Sequence, residues 1–196
     1  MKILAFVDLH GSQSALDKIE KKAKKADIII CAGDISIFEN NLEDLLNHLN
    51  KLKKPVLIIP GNHEDENDLK DICNLFDNIE CIHKTTFTKD SYIFIGYGGG
   101  GFSMADKDFE KFSKKLKKNL KKYEKIILVT HAPPYKTKLD NISKEPCGNK
   151  SIKNFILKAK PDLAISGHLH ENAGKEDKIG KTFLINPGPK GKILTI

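Results

Sequence analysis

Apolar residues recur along the first third of the chain in short runs that alternate with segments of helical spacing. Three runs rich in β-branched residues predict buried strands: Lys2–Val7, Asp27–Ala32 and Pro55–Pro60. Between them, apolar residues repeat every three or four positions, which predicts two amphipathic helices. These helical stripes are formed by Leu16, Ile19 and Ala23 and by Leu42, Leu45, Leu46 and Leu49. Because strands that are apolar on both faces alternate with helices, the pattern predicts an α/β fold with a parallel, covered sheet.

The rest of the chain carries a longer helical stripe and five further strand-like runs. A helix is predicted over Asp106–Lys122. Its apolar stripe is formed by Phe109, Phe112, Leu116, Leu120 and Tyr123. The strand-like runs are Ser91–Tyr97, Lys125–Thr130, Asp162–Ser166, Thr182–Asn186 and Lys192–Ile196. A short segment rich in proline and glycine joins the last two runs, which predicts a hairpin-like edge. Ala132–Lys150 is the longest stretch without a regular pattern, and loops of this length are more often functional or mobile than neutral.

Length and composition place the chain among ordinary globular proteins. Its 196 residues predict a single domain over residues 1–196. No apolar run reaches the ~18–20 residues that a membrane span needs, and the first run breaks at Asp8, too early for a secretory signal. We therefore expect a cytoplasmic protein with no membrane partner. The four cysteines stand far apart and are expected to be reduced and to serve in packing.

The net charge of +7 is only a weak indication of anionic partners. All of the basic residues are lysine, whereas arginine is the usual side chain for bidentate recognition of phosphates and base edges. The composition therefore argues against a protein that reads nucleic-acid sequence, and lysine-rich surfaces also occur in heat-adapted proteins. We interpret the lysines of Lys107–Lys125 as the solvated side of a helix. Lys190 and Lys192 are weaker candidates for steering a phosphate.

Polar residues follow five of the apolar runs at the point where each run ends. They stand in the blocks Asp8-Leu9-His10, Gly33-Asp34, Gly61-Asn62-His63-Glu64, Thr130-His131 and Gly167-His168-Leu169-His170. Because open parallel α/β sheets bind ligands beyond the carboxyl ends of their strands, we expect these blocks to converge. Carboxylates, an amide and histidines without a thiolate suit Mn, Fe, Zn, Co or Ni. These groups are too many for one tetrahedral site, and they are enough for two metal ions that share a carboxylate.

Five such blocks in this order, each behind a strand, resemble those of the calcineurin-like metallophosphoesterases, and the resemblance runs from Met1 to Gly188. It implies a sandwich of two mixed β-sheets flanked by helices (αββα), in place of the single sheet that periodicity predicts. It also implies two divalent metal ions, with manganese favoured over nickel, cobalt, iron or zinc. The first ion would be held by Asp8, His10 and His170, the second by Asn62, His131 and His168, and the bridging ligand would be Asp34.

The resemblance further implies a phosphodiesterase that acts on a small phosphodiester or another phosphorylated substrate. A hydroxide that bridges the metals would attack phosphorus in line. His63 would face the substrate and assist the leaving group, a contribution of ~10²–10⁴-fold. Glu64, where the family often has aspartate, would orient His63. Two alternatives stay open: a nuclease acting on DNA or RNA, and a non-catalytic scaffold of the same fold, which would have no need of His63. The sequence leaves the oligomeric state open.

Three further features have ordinary interpretations. His48 and His83 lie outside the five blocks and are interpreted as structural or solvent-facing. The segment Gly96–Gly101 follows a strand and matches the dinucleotide fingerprint G-x-G-x-x-G. The next strand, however, ends in His131 and not in the acidic residue that would bind the ribose hydroxyls. We therefore interpret the glycine-rich segment as a flexible loop near the metal site.

Overall fold

The computed structural model describes residues 1–116 and 120–196, without the side chain of Lys121. The strands are β1 (Lys2–Phe6), β2 (Ile28–Cys31), β3 (Val56–Ile58), β4 (Ile79–Cys81), β5 (Thr85–Lys89), β6 (Tyr92–Tyr97), β7 (Lys125–Thr130), β8 (Asn141–Ile142), β9 (Glu145–Pro146), β10 (Leu163–Ile165), β11 (Glu176–Ile179), β12 (Thr182–Ile185) and β13 (Lys192–Thr195). The α-helices are α1 (Gln13–Ala23), α2 (Leu42–Asn50), α3 (Glu66–Cys73), α4 (Lys107–Leu116) and α5 (Lys150–Ala159). Short 3₁₀ helices span Leu120–Lys122 and His170–Asn172.

Two mixed sheets form the centre of the fold. The first has the order β13-β1-β2-β3-β4, in which β1 to β4 are parallel and β13 is antiparallel to β1. The second has the order β11-β12-β10-β7-β6-β5, in which the four inner strands are parallel and the two edge strands are antiparallel. The single sheet predicted from periodicity is therefore wrong, and the two-sheet sandwich that the resemblance implied is confirmed.

Apolar side chains pack in three layers that give the order helix, sheet, sheet, helix. One layer lies between the first sheet and α1, α2 and α3, a second between the two sheets, and a third between the second sheet and α4 and α5. Strand β1 contributes to two layers: Leu4 and Phe6 face the helices, while Ile3, Ala5 and Val7 face the other sheet. This double burial explains why the strands read as continuous apolar runs. A single domain over residues 1–196 stays a prediction.

The register of the parallel strands brings their carboxyl ends level with one another. Phe6 of β1 lies beside Cys31 of β2, and Cys31 lies beside Ile58 of β3. In the second sheet, Ile165 of β10 lies beside Val129 of β7. Because the polar blocks follow these strand ends directly, they emerge at one edge of the sandwich.

The predicted hairpin between the last two strands is wrong. Strand β12 pairs with β10 and β11 in the second sheet, whereas β13 pairs with β1 in the first. The connecting segment crosses between the sheets, and the carbonyl of Gly188 accepts a hydrogen bond from the N–H of Val7 (3.3 Å). Crossing allows β13 to bury side chains on both faces of the first sheet, since Leu194 packs between the sheets and Ile193 packs on the helix side.

The helix predicted over Asp106–Lys122 is present as α4, which ends at Leu116, and a 3₁₀ turn follows at Leu120–Lys122. The part of that prediction that covers 117–119 lies outside the described residues. Helix α4 buries Phe109 and exposes the lysines around it, so its basic side is solvated as predicted. The strands that the pattern missed, such as β5 and β11, are partly exposed edge strands with mixed polarity. None of the helices that the structure describes is long and apolar enough to cross a membrane.

Candidate metal centre

The loops that follow β1, β2 and β10 have unusual backbone conformations. Positive φ angles, between 47° and 68°, occur at Asp8, His10, Asp34 and His168. Such angles are uncommon for residues other than glycine. Hydrogen bonds between the loops hold them in place: the Asp8 N–H donates to the carbonyl of Gly33 (3.1 Å), and the His10 N–H donates to that of Asp34 (3.0 Å). Strain of this kind costs about 1–3 kcal/mol per residue and is maintained where the surrounding structure fixes a functional side chain.

Four side chains from these loops form the first half of the site. They are Asp8, His10, Asp34 and His170, and each offers a ligand atom within 4.8 Å of the others. The Nε2 atoms of His10 and His170 lie 3.0 Å apart. Asp8 Oδ1 accepts from the N–H of His168 (3.2 Å), while Asp8 Oδ2 is buried and has no hydrogen-bond partner. Carboxylate and imidazole groups that meet in this way have the chemistry of a divalent cation site.

Three side chains from the loops after β3, β7 and β10 form the second half. Asn62 Oδ1 lies 3.1 Å from His131 Nε2 and 2.9 Å from His168 Nδ1. Asp34 lies between the two halves, with its Oδ2 atom 3.4 Å from His131 Nε2 and 3.8 Å from His10 Nε2. The structure therefore brings all seven predicted ligands together, and it places the predicted bridging carboxylate at the middle of the group.

Backbone carbonyls fix the tautomers of two of these histidines. His10 Nδ1 lies 3.2 Å from the carbonyl oxygen of Ser36, and His131 Nδ1 lies 2.9 Å from that of Ala32. Because a carbonyl oxygen only accepts hydrogen bonds, each Nδ1 carries a proton, and Nε2 of the neutral ring presents a lone pair. Metal-binding histidines show this arrangement. The Nε2 lone pair of His10 faces His170, and that of His131 faces the oxygen of Asn62. Acceptor atoms that face one another in this way need a cation or a proton between them. The residues present fit a metal.

The charges of the site favour a cation in the same position. Burial by itself would raise the pKa of Asp34, but the hydrogen bond and charge of His131 and the backbone N–H of His63 outweigh it and lower this pKa to about 2. Burial would lower the pKa of His131, but its ion pair with Asp34 raises it. Burial raises the pKa of Asp8. A positive charge is therefore stabilised beside Asp34, whereas at Asp8 burial outweighs the opposing charges of His131 and His170.

His63 lies at the edge of the group. Its backbone N–H donates to Asp34 Oδ1 (3.1 Å), and its Nε2 atom lies 4.0 Å from Asp34 Oδ2. The imidazole packs edge-on against that of His10, with ring centroids 5.0 Å apart. Its Nδ1 atom is buried and has no hydrogen-bond partner. Nε2 is thus the ring nitrogen that faces the centre, which agrees with the position predicted for an acid that reaches the substrate.

Glu64 contacts the backbone of the site and not the ring of His63. Its buried carboxylate accepts hydrogen bonds from the N–H groups of Asp34 (3.0 Å), Ser36 (3.0 Å) and Gly61 (2.9 Å). It also accepts from the hydroxyl of Ser36 (2.8 Å). The predicted orientation of His63 by Glu64 is therefore wrong in its direct form. Glu64 joins the loop after β2 to the loop after β3, and so it fixes the backbone on which Asp34 and the Asn62–His63 pair stand.

Glycine is required where two of the loops touch. A Cβ atom on Gly61 would lie 1.9 Å from Asp34 Oδ1, and one on Gly167 would lie 2.1 Å from Val7 Cγ2. Real side chains never approach so closely, so the glycines of the G-N-H and G-H-x-H blocks allow the loops to pack against one another. The glycine at the start of each of these two blocks is therefore explained by close packing, against Asp34 for Gly61 and against Val7 for Gly167.

A family model for calcineurin-like phosphoesterases matches residues 1–172. The chain belongs to the calcineurin-like phosphoesterase family. An uncharacterized protein of Methanocaldococcus jannaschii is 31% identical to it over 202 aligned residues, which cover 97% of this chain and 89% of that protein. A protein of Arcobacter nitrofigilis that is named a probable glycerophosphodiester phosphodiesterase is 26% identical over 176 residues, covering 84% of this chain and 64% of that protein.

Solved structures share the fold at low sequence identity. The crystal structure of TT1561 from Thermus thermophilus has a TM-score of 0.78 and 20% identity, and the match covers 96% of this chain and 90% of that chain. A dimetal phosphatase from Danio rerio has a TM-score of 0.61 and 11% identity, covering 94% and 86% of the two chains. A structure described as a novel archaeal phosphodiesterase has a TM-score of 0.55 and 16% identity, covering 96% and 84%. At these identities the likeness shows the fold alone.

In this calcineurin-like phosphoesterase, His83 supports the glycine-rich loop. His83 Nδ1 accepts a hydrogen bond from the N–H of Gly98 (2.8 Å), and the ring lies beside that of Tyr97 with centroids 5.4 Å apart. The Gly99 N–H donates to the carbonyl of Pro60 (2.9 Å), just before the G-N-H block. The structural interpretation of His83 is confirmed. Sequence reasoning missed the contact because His83 belongs to no motif and lies 15 residues from Gly98.

Protonation of His83 is expected to weaken the folded state. Burial and the charge of Lys84 lower the pKa of His83 below 6.5, although Glu66 opposes this shift. Below pH 6.5 the unfolded chain therefore binds a proton that the folded chain resists, so stability falls as the pH is lowered toward the folded pKa. We expect a smaller loss of unfolding free energy between pH 7 and pH 5 in His83→Gln than in the parent, measured by urea denaturation. His48→Gln, at a surface pair with Glu20, is the matched control; equal slopes for parent and His83→Gln would contradict the expectation.

Of the two lysines considered for phosphate steering, Lys192 has its ammonium group paired elsewhere, and the contact found for Lys190 is made by its backbone. The ammonium group of Lys192 pairs with Glu176 at the surface. The backbone carbonyl of Lys190 accepts from the ammonium group of Lys22 (2.8 Å). Neither contact involves the metal centre, and the structure gives no support to a steering role for these two residues.

Proposed function

We propose that this chain hydrolyses phosphodiesters at two divalent metal ions. The first ion would be held by Asp8, His10 and His170 and the second by Asn62, His131 and His168, and Asp34 would be shared between them. Manganese is first among the candidate metals, before nickel, cobalt, iron and zinc. The observation that carries the proposal is the convergence of these seven side chains, from five loops, with their acceptor atoms facing one another.

The chemistry of the proposed reaction is divided between the metals and the protein. When bound, two divalent ions polarise a phosphoryl oxygen and make a water molecule acidic enough to supply the nucleophile near neutral pH. The protein holds the ligand loops through Glu64 and fixes the tautomers of His10 and His131 through backbone carbonyls. His63 presents Nε2, the ring nitrogen nearer Asp34, to the reacting group, where it would assist departure of the alcohol by proton transfer to its oxygen.

Two relatives support the diester over the monoester. The Arcobacter nitrofigilis protein is named a probable glycerophosphodiester phosphodiesterase, and one of the structures with the same fold is described as an archaeal phosphodiesterase. The chain spans 64% of the Arcobacter nitrofigilis protein, so that activity enters here as support for a proposal about this chain.

A matrix of metals and substrates tests the proposed function. The metal-stripped protein is reconstituted with Mn, Ni, Co, Fe or Zn and assayed on mono-, di- and cyclic phosphates. We expect hydrolysis of an aryl phosphodiester that is lost on chelation and restored by at least one of these metals. Activity confined to polynucleotides, with a steep loss at higher salt, would indicate a nuclease. Full metal occupancy without hydrolysis of any substrate would indicate a scaffold.

The variant His63→Ala separates catalysis from metal binding. Loss of a general acid is expected to lower kcat/KM on an alkyl diester by about 10²–10⁴-fold, because alkoxides are poor leaving groups. Metal content, measured by mass spectrometry of the purified protein, is expected to equal that of the parent. His48→Ala, at a partly exposed position on α2, serves as the control for removal of an imidazole. A His63→Ala variant with parental kcat/KM would remove His63 from the mechanism.

A further inference from the structure

Exposed apolar side chains are concentrated beside the metal centre. Six large apolar side chains are between 43% and 74% exposed in the part of the chain that the structure describes. Four of them stand in two loops that adjoin the site: Ile37 and Phe38 after β2, and Phe102 and Met104 after β6. The remaining two are Leu75 and Leu157. Exposed apolar side chains that are grouped in this way indicate a binding surface for a ligand or a partner, whereas single exposed apolar residues are common on protein surfaces.

Phe38 contacts His63 and is held in a strained conformation. Its ring centroid lies 4.6 Å from that of His63, and the side chain is 74% exposed. The backbone at Phe38 has φ 47°, and the next residue, Glu39, has φ 61°. A positive φ is a genuine outlier for a bulky residue and costs about 1–3 kcal/mol. The fold therefore maintains an exposed aromatic ring next to the proposed acid in spite of the strain.

Hydrogen bonds fix the loop of Phe38 to the loop of His63. The Ser36 hydroxyl accepts from the Glu39 N–H (3.2 Å) and donates to Glu64. The Glu39 carboxylate in turn accepts from the N–H of Asp65 (2.7 Å). Phe38 is thus enclosed between two connections to the segment that carries His63. The position of its ring relative to that imidazole is set by the fold.

Phe102 contacts His168 in a similar way. Its ring centroid lies 4.7 Å from that of His168, and the side chain is 65% exposed. The loop is fixed to the start of α5, because the buried Asn149 donates to the carbonyl of Ser103 (2.9 Å) and the Lys150 N–H donates to that of Met104 (2.8 Å). One exposed phenylalanine therefore lies against His63 at the edge of the centre, and the other lies against His168, one of the proposed ligands.

We infer that Phe38 and Phe102 form an aromatic rim that binds the organic group of the substrate, so that the preferred phosphodiester carries an aromatic ring next to its phosphorus. The inference rests on the proposed function and narrows its substrate class. Open aromatic faces favour flat rings through offset or edge-on stacking. A polar glycerol-type ester would leave both phenylalanine rings in water and gain nothing from them. Contact of each ring with a residue of the centre places the bound group within reach of the reacting phosphoryl group.

Binding of two small phosphonates tests the rim independently of catalysis. Phenylphosphonate and methylphosphonate carry the same phosphorus group, resist hydrolysis and differ in the ring alone. We expect the manganese-loaded protein to bind phenylphosphonate more tightly than methylphosphonate in calorimetric titrations. Phe38→Ala and Phe102→Ala are each expected to reduce that preference by about two- to tenfold. Leu75→Ala, which removes an exposed apolar side chain elsewhere, is expected to keep the parental preference.

Several results would overturn the inference. Equal affinity of the parent for the two phosphonates would do so, as would a failure to bind phenylphosphonate, or a preference that survives in both phenylalanine variants. Sedimentation velocity on the same proteins adds a further outcome. If the double variant changes the parental mass from dimer to monomer and keeps the preference, the patch is an interface between copies and not a substrate rim. Absence of phosphodiester hydrolysis in every metal form would refute the proposed function, while the phosphonate preference would still report on the rim.

Discussion

Replacing Asp34 by asparagine is expected to remove at least one metal ion and to lower kcat/KM on a phosphodiester by about a thousandfold or more. The magnitude follows from the several kcal/mol of transition-state stabilisation that a metal ion supplies. Asparagine keeps the shape of the side chain but loses the charge that pairs with His131, 3.4 Å away, and the oxygen that lies 3.8 Å from His10. Metal content by mass spectrometry and steady-state kinetics on the same preparation measure both effects.

The matched control for this substitution is Asp71→Asn, which removes one carboxylate from the exposed side of α3. It is expected to retain parental metal content and activity. If Asp34→Asn also kept two metal ions and parental kinetics, Asp34 would not be the bridging ligand and the proposed arrangement of the centre would have to be abandoned.

Replacing Glu64 by alanine is expected to lower the free energy of unfolding of the metal-free protein by about 3 kcal/mol or more. Three buried N–H groups would lose their acceptor, and each unsatisfied group costs about 1–3 kcal/mol. These groups belong to Asp34, Ser36 and Gly61, so the loops that carry the ligands would separate as well. Metal affinity is therefore expected to fall by about 10–100-fold. Urea denaturation and metal titration measure the two effects.

Glu39→Ala is the control for Glu64→Ala, because the Glu39 carboxylate accepts a single backbone hydrogen bond at a partly exposed position. Its expected cost is about 1 kcal/mol or less. If Glu64→Ala lowered kcat while the unfolding free energy and metal affinity stayed at their parental values, Glu64 would act on His63 after all. That result would contradict the backbone role given to it here.

The sequence predicted the convergence of the polar blocks well because each block is local. A D-x-H or G-N-H segment directly behind an apolar strand states both the chemistry of the side chains and their place at a strand end, as Asp8 and Asn62 do. The sequence did not predict the contacts of Glu64. Glu64 accepts hydrogen bonds from three N–H groups, the farthest of which lies 30 residues away in the chain. The residues next to Glu64 in the sequence do not show which N–H groups its carboxylate will contact.

The same limit applies to the last strand and to the aromatic rings. Strand β13 has the composition of any short strand. Its place beside β1 depends on the free edge that β1, from the opposite end of the chain, offers in the first sheet. Phe38 and Phe102 stand in loops where an exposed apolar residue has no meaning by itself. Their significance depends on contacts with His63 and His168, and each of these histidines lies far along the chain from the phenylalanine that it meets.

By itself, the sequence determined the α/β class, the position of each polar block at the end of a strand, and the set of side chains available to the candidate metal centre. These properties follow from hydrophobic periodicity and from residue types that are neighbours along the chain. The tertiary structure alone decided the division into two sheets, the tautomers of His10 and His131, the backbone contacts of Glu64 and the position of the phenylalanine rings. Each of these depends on the packing of segments far apart in the chain, where register and distance, and not composition, determine which groups meet.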